Sequence, residues 1–379
     1  MRTVILVCIM IHGIIHLLGF IKAFQVRGLD RFASSLSKKW GILWLIACLF
    51  FMATGAAYWL DVDFWWVVGL TAVLLSQVLI LFSWSDARWG TLLNLLIVLI
   101  SMIGFQSWNF ERQYREEVRA SLLQNQNVKP DTLSAEDLSH LPEPVRQYLY
   151  YSGVVNKPKV ASMKAVFSAE MRGKGLDWFR LTAEQYNFFD TPKRLFFLKA
   201  KVKGLPVLGY HVYKENKARM IVKMLSLLPV VDERGNQLVE AETVTFFNDM
   251  CFLAPATLID RRIQWEQLDS LSVRAQFTNW GRTISAKLYF NNEGQLVNFV
   301  SDDRYDMNQK KKFRFSTPLS DYREINGYRL ANYGEARWHY PEGVFVYGKY
   351  RLQNIRYNID KMNQGMEGDA LSLAIDFQQ

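Results

Sequence analysis

The sequence predicts a four-helix transmembrane bundle followed by an α+β soluble domain, mainly a curled antiparallel sheet with one helix packed on it. Three observations carry this. Four apolar runs of about 20 residues fill the first 108 positions. From Lys159 onward, apolar and polar residues alternate with a period of two in many short segments. One stretch inside that region, Ala241–Leu258, has helical spacing instead.

The apolar runs are Thr3–Phe24, Trp40–Leu60, Phe64–Trp84 and Trp89–Trp108. A helix needs about 20 residues to cross about 30 Å of hydrocarbon, and in lipid it satisfies every backbone group internally. The first run lacks a small-x-small cleavage site and is followed by Lys22 and Arg27, so it reads as a retained span. Tryptophans Trp40, Trp59, Trp65, Trp66, Trp84, Trp89 and Trp108 gather at the run ends as an aromatic belt. The first loop holds Lys22, Arg27, Arg31, Lys38 and Lys39 against Asp30, whereas the second holds only Asp61 and Asp63. The positive-inside rule then puts the first loop in the cytoplasm and both termini outside. The expected location is the cell membrane, with the large C-terminal domain extracytoplasmic.

Polar residues inside the runs are costly in lipid and therefore informative. His12 and His16 are four apart and share a helix face, which Gly19 continues. Gln77 and Asn94, with Ser76 and Ser101, lie in later runs. A metal, haem or proton path is one reading. Hydrogen bonding between helices is favoured, because a haem takes axial histidines from different helices and no carboxylate sits in mid-membrane to complete a metal shell.

Charge divides the 379-residue chain at the same point. Residues 1–108 carry 7 Lys/Arg and 4 Asp/Glu, and the remainder carries 38 and 32. The second part has the composition of a water-soluble domain with its own core. The net charge of +9 is spread among acidic residues, with no basic run interleaved with aromatics, so no nucleic-acid partner is expected. Cys8 and Cys48 lie in apolar runs and Cys251 is alone in the soluble part, so no disulfide, Cys-x-x-Cys motif or metal site is expected there.

Residues 109–157 read as a helical connector and 158–379 as the half-barrel domain. Glu111–Gln126 lacks breakers and continues the fourth helix. Pro144–Ser152 is a short helix with Gly153 as its C-cap. Strands are expected at Met163–Arg172, Trp178–Phe189, Arg194–Val202, Gly209–Lys214 and Ala218–Lys223. A second set spans Ser272–Asn279, Thr283–Phe290, Gln295–Asp302, Lys312–Ser316, Asp321–Ile325, Tyr328–His339 and Val344–Tyr357, with Asn326–Gly327 a two-residue hairpin turn and a last strand at Leu371–Phe377. A sheet of about eleven antiparallel strands must curl or close. The helix at Ala241–Leu258 is expected to lie against it, stopped by Pro255.

The chain has no Gly-rich phosphate loop, Gly-x-Ser-x-Gly elbow, His-Glu-x-x-His or EF-hand loop, and His140, His211 and His339 are isolated. No cofactor is expected. The polar clusters worth watching are Asn248–Asp249, Asp302–Asp303–Arg304 and Glu335/Arg337. Glu335 and Arg337 share a strand face with His339, while Trp338 points the other way, and an outward charge set is the favoured reading of the pair.

Several phrases together carry a resemblance: HGIIHLLGFIKAF (12–24), SQVLILFSWSDARWGTLLN (76–94), AETVTFFNDMCFLAPATLID (241–260), NFVSDDRY (298–305) and the closing 317–358. They resemble a bacterial family of uncharacterised proteins, some with this membrane segment and some without it. That resemblance implies separable modules and carries no activity. At the level of architecture, the curled sheet with a helix on its concave face resembles the LolA-like lipid-binding half-barrels, which implies an apolar cavity.

Three functions follow as expectations. The first is a membrane-tethered binding module for a lipid or other apolar small ligand, with Trp178, Phe179, Phe246, Phe247, Trp280 and Trp338 lining its cavity, Asp303, Arg304, Glu335 and Arg337 as further pocket residues that, if they face inward, fix a polar head group, and membrane lipids as its surroundings. The second is an enzyme of undefined reaction, with a site near Asp302–Arg304 and Glu335–Arg337. The third is an envelope assembly protein that docks a partner through exposed aromatics.

Overall fold

The structure is a computed structural model that describes residues 2–24, 36–125 and 130–359. Two compact units are present, Met1–Arg112 and Gln113–Gln379. Arg27, Asp30 and Arg31 of the first loop and the strand expected at Leu371–Phe377 lie outside the described residues.

The first unit is helical. It contains α1 (Arg2–Ala23), α2 (Lys38–Trp59), α3 (Trp65–Phe82), the single turn α4 (Trp84–Ala87) and the start of α5 (Gly90–Gln124). Four of these helices are long and apolar enough to span a membrane. The unit is inside-out relative to a water-soluble bundle. Leu74 and Leu81 are 70% and 61% exposed, whereas His12, His16, Ser76 and Asn94 are buried. The helices approach through small residues. A side chain at Gly13 would collide with Phe51, and one at Gly19 with the Trp44 ring, so α1 and α2 need glycine at both places to pack this closely.

The second unit begins inside α5, which continues without a break to Gln124. It includes α6 (Glu143–Tyr151) and then a long antiparallel sheet. The strands before the central helix are β1 (Ser162–Met171), β2 (Phe179–Phe188), β3 (Lys193–Val202), β4 (Leu205–Lys214), β5 (Lys217–Met224) and β6 (Leu228–Arg234). The central helix is α7 (Asn236–Phe252). After it come β7 (Ile263–Gln267), β8 (Ser272–Asn279), β9 (Arg282–Phe290), β10 (Leu296–Ser301), a small hairpin of β11 (Tyr305–Asp306) and β12 (Lys311–Lys312), and β13 (Arg314–Ile325), β14 (Tyr328–Tyr340) and β15 (Gly343–Tyr357).

Among the described residues, thirteen strands form one sheet in the order β6-β5-β4-β3-β2-β1-β15-β14-β13-β10-β9-β8-β7, with β6 and β7 at its edges. Neighbours are hairpin partners, except where β1 meets β15 and where β10 meets β13 across the small hairpin. The Asn326–Gly327 turn has φ of 51° and 82°, the mirror-image turn that asparagine and glycine accept at low cost. Trp280–Gly281 makes the same kind of turn between β8 and β9, with φ of 49° and 73°.

The sheet curls around α7. Arg282 at the start of β9 donates to Asn216, in the turn after β4, at 3.0 Å, and Asn279 of β8 donates to the Tyr213 hydroxyl of β4 at 2.7 Å, so the two arms of the sheet meet around the helix. Phe246 and Phe247 are fully buried, and Phe247 stacks on Phe277 of β8 at 5.0 Å. Burying two such rings is a large share of what fixes α7, since truncating a buried Phe to Ala costs about 3–5 kcal/mol. The last carbonyls of the helix end are not orphaned. The Tyr148 hydroxyl of α6 donates to the Cys251 carbonyl at 2.9 Å, and the Tyr357 hydroxyl of β15 donates to that of Leu253. On the opposite, convex face lies the end of α5. Its Tyr114 stacks on Phe197 of β3 at 5.0 Å and donates to Glu184 of β2 at 3.0 Å.

Three details depart from the sequence-based reading. The helix α7 starts at Asn236, not Ala241, directly after Gly235, whose φ of 102° suits glycine. The segment expected as two strands around 312–325 is the one strand β13, which carries Pro318 through the sheet opposite Asn298. The edge strands β6 and β7 were not expected, because edge positions carry charge and lack a clean apolar face.

Candidate functional site

Between α7 and the concave face of the sheet lies a cavity of about 650 Å³. Strand alternation builds its wall. Phe167, Leu198 and Val207 come from β1, β3 and β4, and Phe315, Trp338 and Leu352 from β13, β14 and β15. On β14 the row Gly334, Ala336 and Trp338 faces inward, and the small residues leave the space that the cavity occupies. The hairpin of β11 and β12 covers one side. Its Asp306 accepts from the Tyr340 hydroxyl at 2.6 Å and from the Asn308 backbone N–H at 2.8 Å, and its Lys312 pairs with Glu240 of α7.

One part of the wall is polar and almost dry. Arg194 of β3 donates through Nε to Asp249 of α7 at 2.8 Å, through Nη1 to Glu242 at 3.2 Å and through Nη2 to Gln185 at 3.2 Å. Asp249 also accepts from Gln185 at 2.8 Å and Asn187 at 3.1 Å. Burial pushes the Asp249 carboxyl up, and the Arg194 guanidinium holds it down against that push. Burial works against the Arg194 charge, but Asp249 and Glu242 outweigh it and raise the guanidinium further. His211 of β4 lies 4.0 Å from Glu242, and its ring is 5.4 Å from Phe196. Burial, with Arg194 and Arg304 nearby, pushes its imidazole down to about 3, so it is neutral at pH 7.

Arg304 follows β10 and lies against three aromatic rings. Its guanidinium carbon is 4.0 Å from the Phe315 ring centre and 5.1 Å from that of Trp338. Its Nη1 donates to the Tyr347 hydroxyl at 2.6 Å, and its buried Nε has no partner.

The residues singled out from sequence fall into separate places. Trp338, Arg304 and Glu335 border the cavity, as does Phe179. Phe246 and Phe247 lie behind it in the solid core, since helix residues with full burial on all sides have no wall to line. Trp280 occupies the β8–β9 turn and is 37% exposed. Trp178 precedes β2, held between Arg172 at 4.5 Å and Lys349 at 4.6 Å, and is not among the residues that line the cavity. Asp303 accepts from the Ser285 N–H at 2.7 Å, Asp302 pairs with Arg314 at the surface, and Arg337 pairs with Glu335 on the row opposite Trp338. Of the groups of the enzyme reading, Arg304 and Glu335 border the cavity, and Asp302, Asp303 and Arg337 are not among its lining residues. Sequence reasoning flagged Asn248–Asp249 and set His211 aside as isolated, and it missed Arg194, Gln185 and Glu242. The signal for Arg194 was its alternation with Phe196 and Leu198, which puts a cation on an apolar strand face.

The helical unit has its own polar centre. His12 Nε2 lies 2.9 Å from Asn94 Oδ1, His16 Nδ1 donates to the His12 carbonyl at 2.8 Å, and Ser76 Oγ lies 2.8 Å from His16 Nε2. Asn94 donates onward to Gln77 at 3.0 Å. These bonds join α1, α3 and α5. A cavity of about 290 Å³ borders both histidines, with the Lys22–Asp86 ion pair at 3.1 Å among its residues. Among the described residues, no group of three or more His, Cys, Asp or Glu is arranged to hold a metal ion.

Solved structures similar to this chain include a LolA superfamily protein from Nitrosomonas europaea. It is 10% identical, with 59% of this chain and 96% of that chain covered and a TM-score of 0.32. A β-barrel-like protein of a domain of unknown function, DUF1849, from Brucella abortus is 8% identical, with 53% and 99% covered and a TM-score of 0.17. No curated protein matches the chain. The sequence profile of DUF6544, a family of unknown function, matches residues 131–350, and this chain belongs to that family.

Proposed function

We propose that this chain is a multi-pass membrane protein whose C-terminal domain binds a lipid or other apolar ligand between α7 and the curled sheet. The supporting observation is the cavity of about 650 Å³, within the range of small-molecule sites. Its wall is mostly aromatic and aliphatic, with a connected polar stretch at Arg194, Glu242 and Asp249 on one side, an arrangement that can orient an amphiphilic molecule. Native mass spectrometry of the full chain released gently from its detergent micelle tests this. A copurified small amphiphile, at about one per chain, is the expected result. A chain that is always empty, and from which no fluorescent lipid probe can be displaced, overturns the reading.

The domain is extracytoplasmic in this proposal, on the argument of the basic first loop. Alkaline phosphatase fused after Gln379 should be active. Activity only with a reporter that works in the cytoplasm reverses the orientation.

A further inference from the structure

We propose that the ligand of this cavity is an acidic amphiphile, and that its anionic head, a carboxylate or phosphate, sits on the Nε–Nη2 edge of Arg304. The inference rests on the cavity-binding reading above and names the chemistry of its ligand.

The first argument is the state of the cation. Among the described residues, Arg304 has no carboxylate partner. Its one hydrogen bond, to Tyr347, uses Nη1. That leaves Nε and Nη2, the two parallel donors that match a carboxylate or phosphate in bidentate fashion. Nε is buried without an acceptor. A partly buried cation is costly unless something pairs with it, and aromatic faces offset only part of that cost. The rings of Phe315, Trp338 and Tyr347 also fix the guanidinium plane, so the open edge has a defined direction.

The second argument is the charge balance of the wall. Glu242 and Asp249 are held by Arg194, Glu335 by Arg337, and Asp306 by a tyrosine hydroxyl and backbone N–H groups. Each wall carboxylate is satisfied within the protein. Arg304 is not, and neither is Arg172, which donates only to the Val346 carbonyl and rests on Trp178 and Phe345. The wall's four cations, Arg172, Lys174, Arg194 and Arg304, equal its four carboxylates in number, and Arg304 and Arg172 are the two that no carboxylate of the described residues holds.

The third is an independent open position. Asn248 of α7 is 6% exposed and borders the cavity. It donates to Thr317 at 2.9 Å and leaves Oδ1 unpartnered. Thr317 is two residues from Phe315, the ring on which Arg304 rests, and both line the cavity from β13, so the Asn248 and Arg304 anchors border one stretch of wall. A head with an anionic oxygen and a hydroxyl spans such a pair, and an alkyl tail then lies along Leu198, Val207 and Leu352.

The test uses the full chain in non-ionic detergent and displacement of a fluorescent fatty-acid probe by dodecanoate, dodecyl phosphate, dodecanol and inorganic phosphate. Wild type should prefer the two acids over the alcohol by at least about tenfold, roughly one charge-assisted hydrogen bond. Arg304→Gln should lose that preference while still binding dodecanol, and Arg304→Lys should restore part of it. An unchanged thermal midpoint shows that Arg304→Gln is folded. If acids and alcohol bind wild type equally, or if folded Arg304→Gln keeps the preference, the head assignment falls and the cavity reading stands. If inorganic phosphate competes as well as dodecyl phosphate, the amphiphile is overturned in favour of a free anion. If nothing competes, the cavity reading falls with it.

Discussion

Arg194 of β3 and Asp249 of α7 are 55 residues apart in the chain and meet at 2.8 Å inside the half-barrel. Both side chains are almost fully buried, and Glu242, Gln185 and Asn187 complete the set. Removing one partner leaves an uncompensated buried charge. Asp249→Leu should therefore destabilise the domain by about 3–5 kcal/mol. The double variant Arg194→Met with Asp249→Leu should recover most of that loss, since an apolar pair can replace a buried ion pair. Chemical denaturation of the full chain, followed by tryptophan fluorescence, measures both. A double variant no more stable than the single one refutes the account.

Acidification should weaken the fold through His211. Its folded value is pushed down to about 3, whereas an unfolded histidine titrates near 6.5. Between these values the unfolded chain binds the extra proton. The contribution is fully present above pH 6.5 and is lost as pH falls toward 3. The thermal midpoint of His211→Phe should fall less steeply than that of wild type between pH 6.5 and 4. Parallel slopes would show that His211 does not titrate on unfolding.

The polar centre of the bundle should behave as a structural joint. Asn94→Leu removes the partner of His12, Ser76 and Gln77 together. In membrane proteins each such hydrogen bond is worth about 0.6–2 kcal/mol, so the helices should separate at lower dodecyl sulfate concentration. Circular dichroism during the detergent titration reads this. An unchanged midpoint would mean that packing alone holds the helices.

Filling the cavity should empty it of ligand. Ala336 faces inward from β14 beside Trp338. Ala336→Phe puts a ring into the space, and mass spectrometry should find the copurified molecule reduced at least several-fold, with the domain still folded by near-ultraviolet dichroism. An undiminished ligand signal would place the molecule elsewhere.

The four long apolar helices were legible because a run of about 20 apolar residues has few other uses. The curled sheet was legible because its strands alternate and its turns are short, as at Asn326–Gly327. The cavity wall was not. Phe246 and Phe247 are as apolar as Trp338, and sequence cannot distinguish a side chain that ends in a cavity from one that ends in packed core. Arg194 beside Lys193 reads as an ordinary strand cation, and only the return of α7 under the sheet gives it Asp249 and Glu242. Glu335 and Arg337 were legible in their pairing on one strand face, because that depends on local alternation alone.

The sheet order sets how this domain must be made. Its first strand and its last, β1 and β15, are direct neighbours near the middle of the sheet, with Met163 opposite Tyr357. The six strands before α7 and the remaining arm share no strand pairing until β15 arrives. Closure thus joins segments nearly 200 residues apart, the kind of long-range pairing that slows folding. During synthesis the early arm waits with an open edge at β1, and the arriving β15 both completes the sheet and brings Tyr357 to the end of α7. A chain that stops before β15 leaves two sticky half-sheets rather than a smaller domain, so that edge needs protection until synthesis is complete.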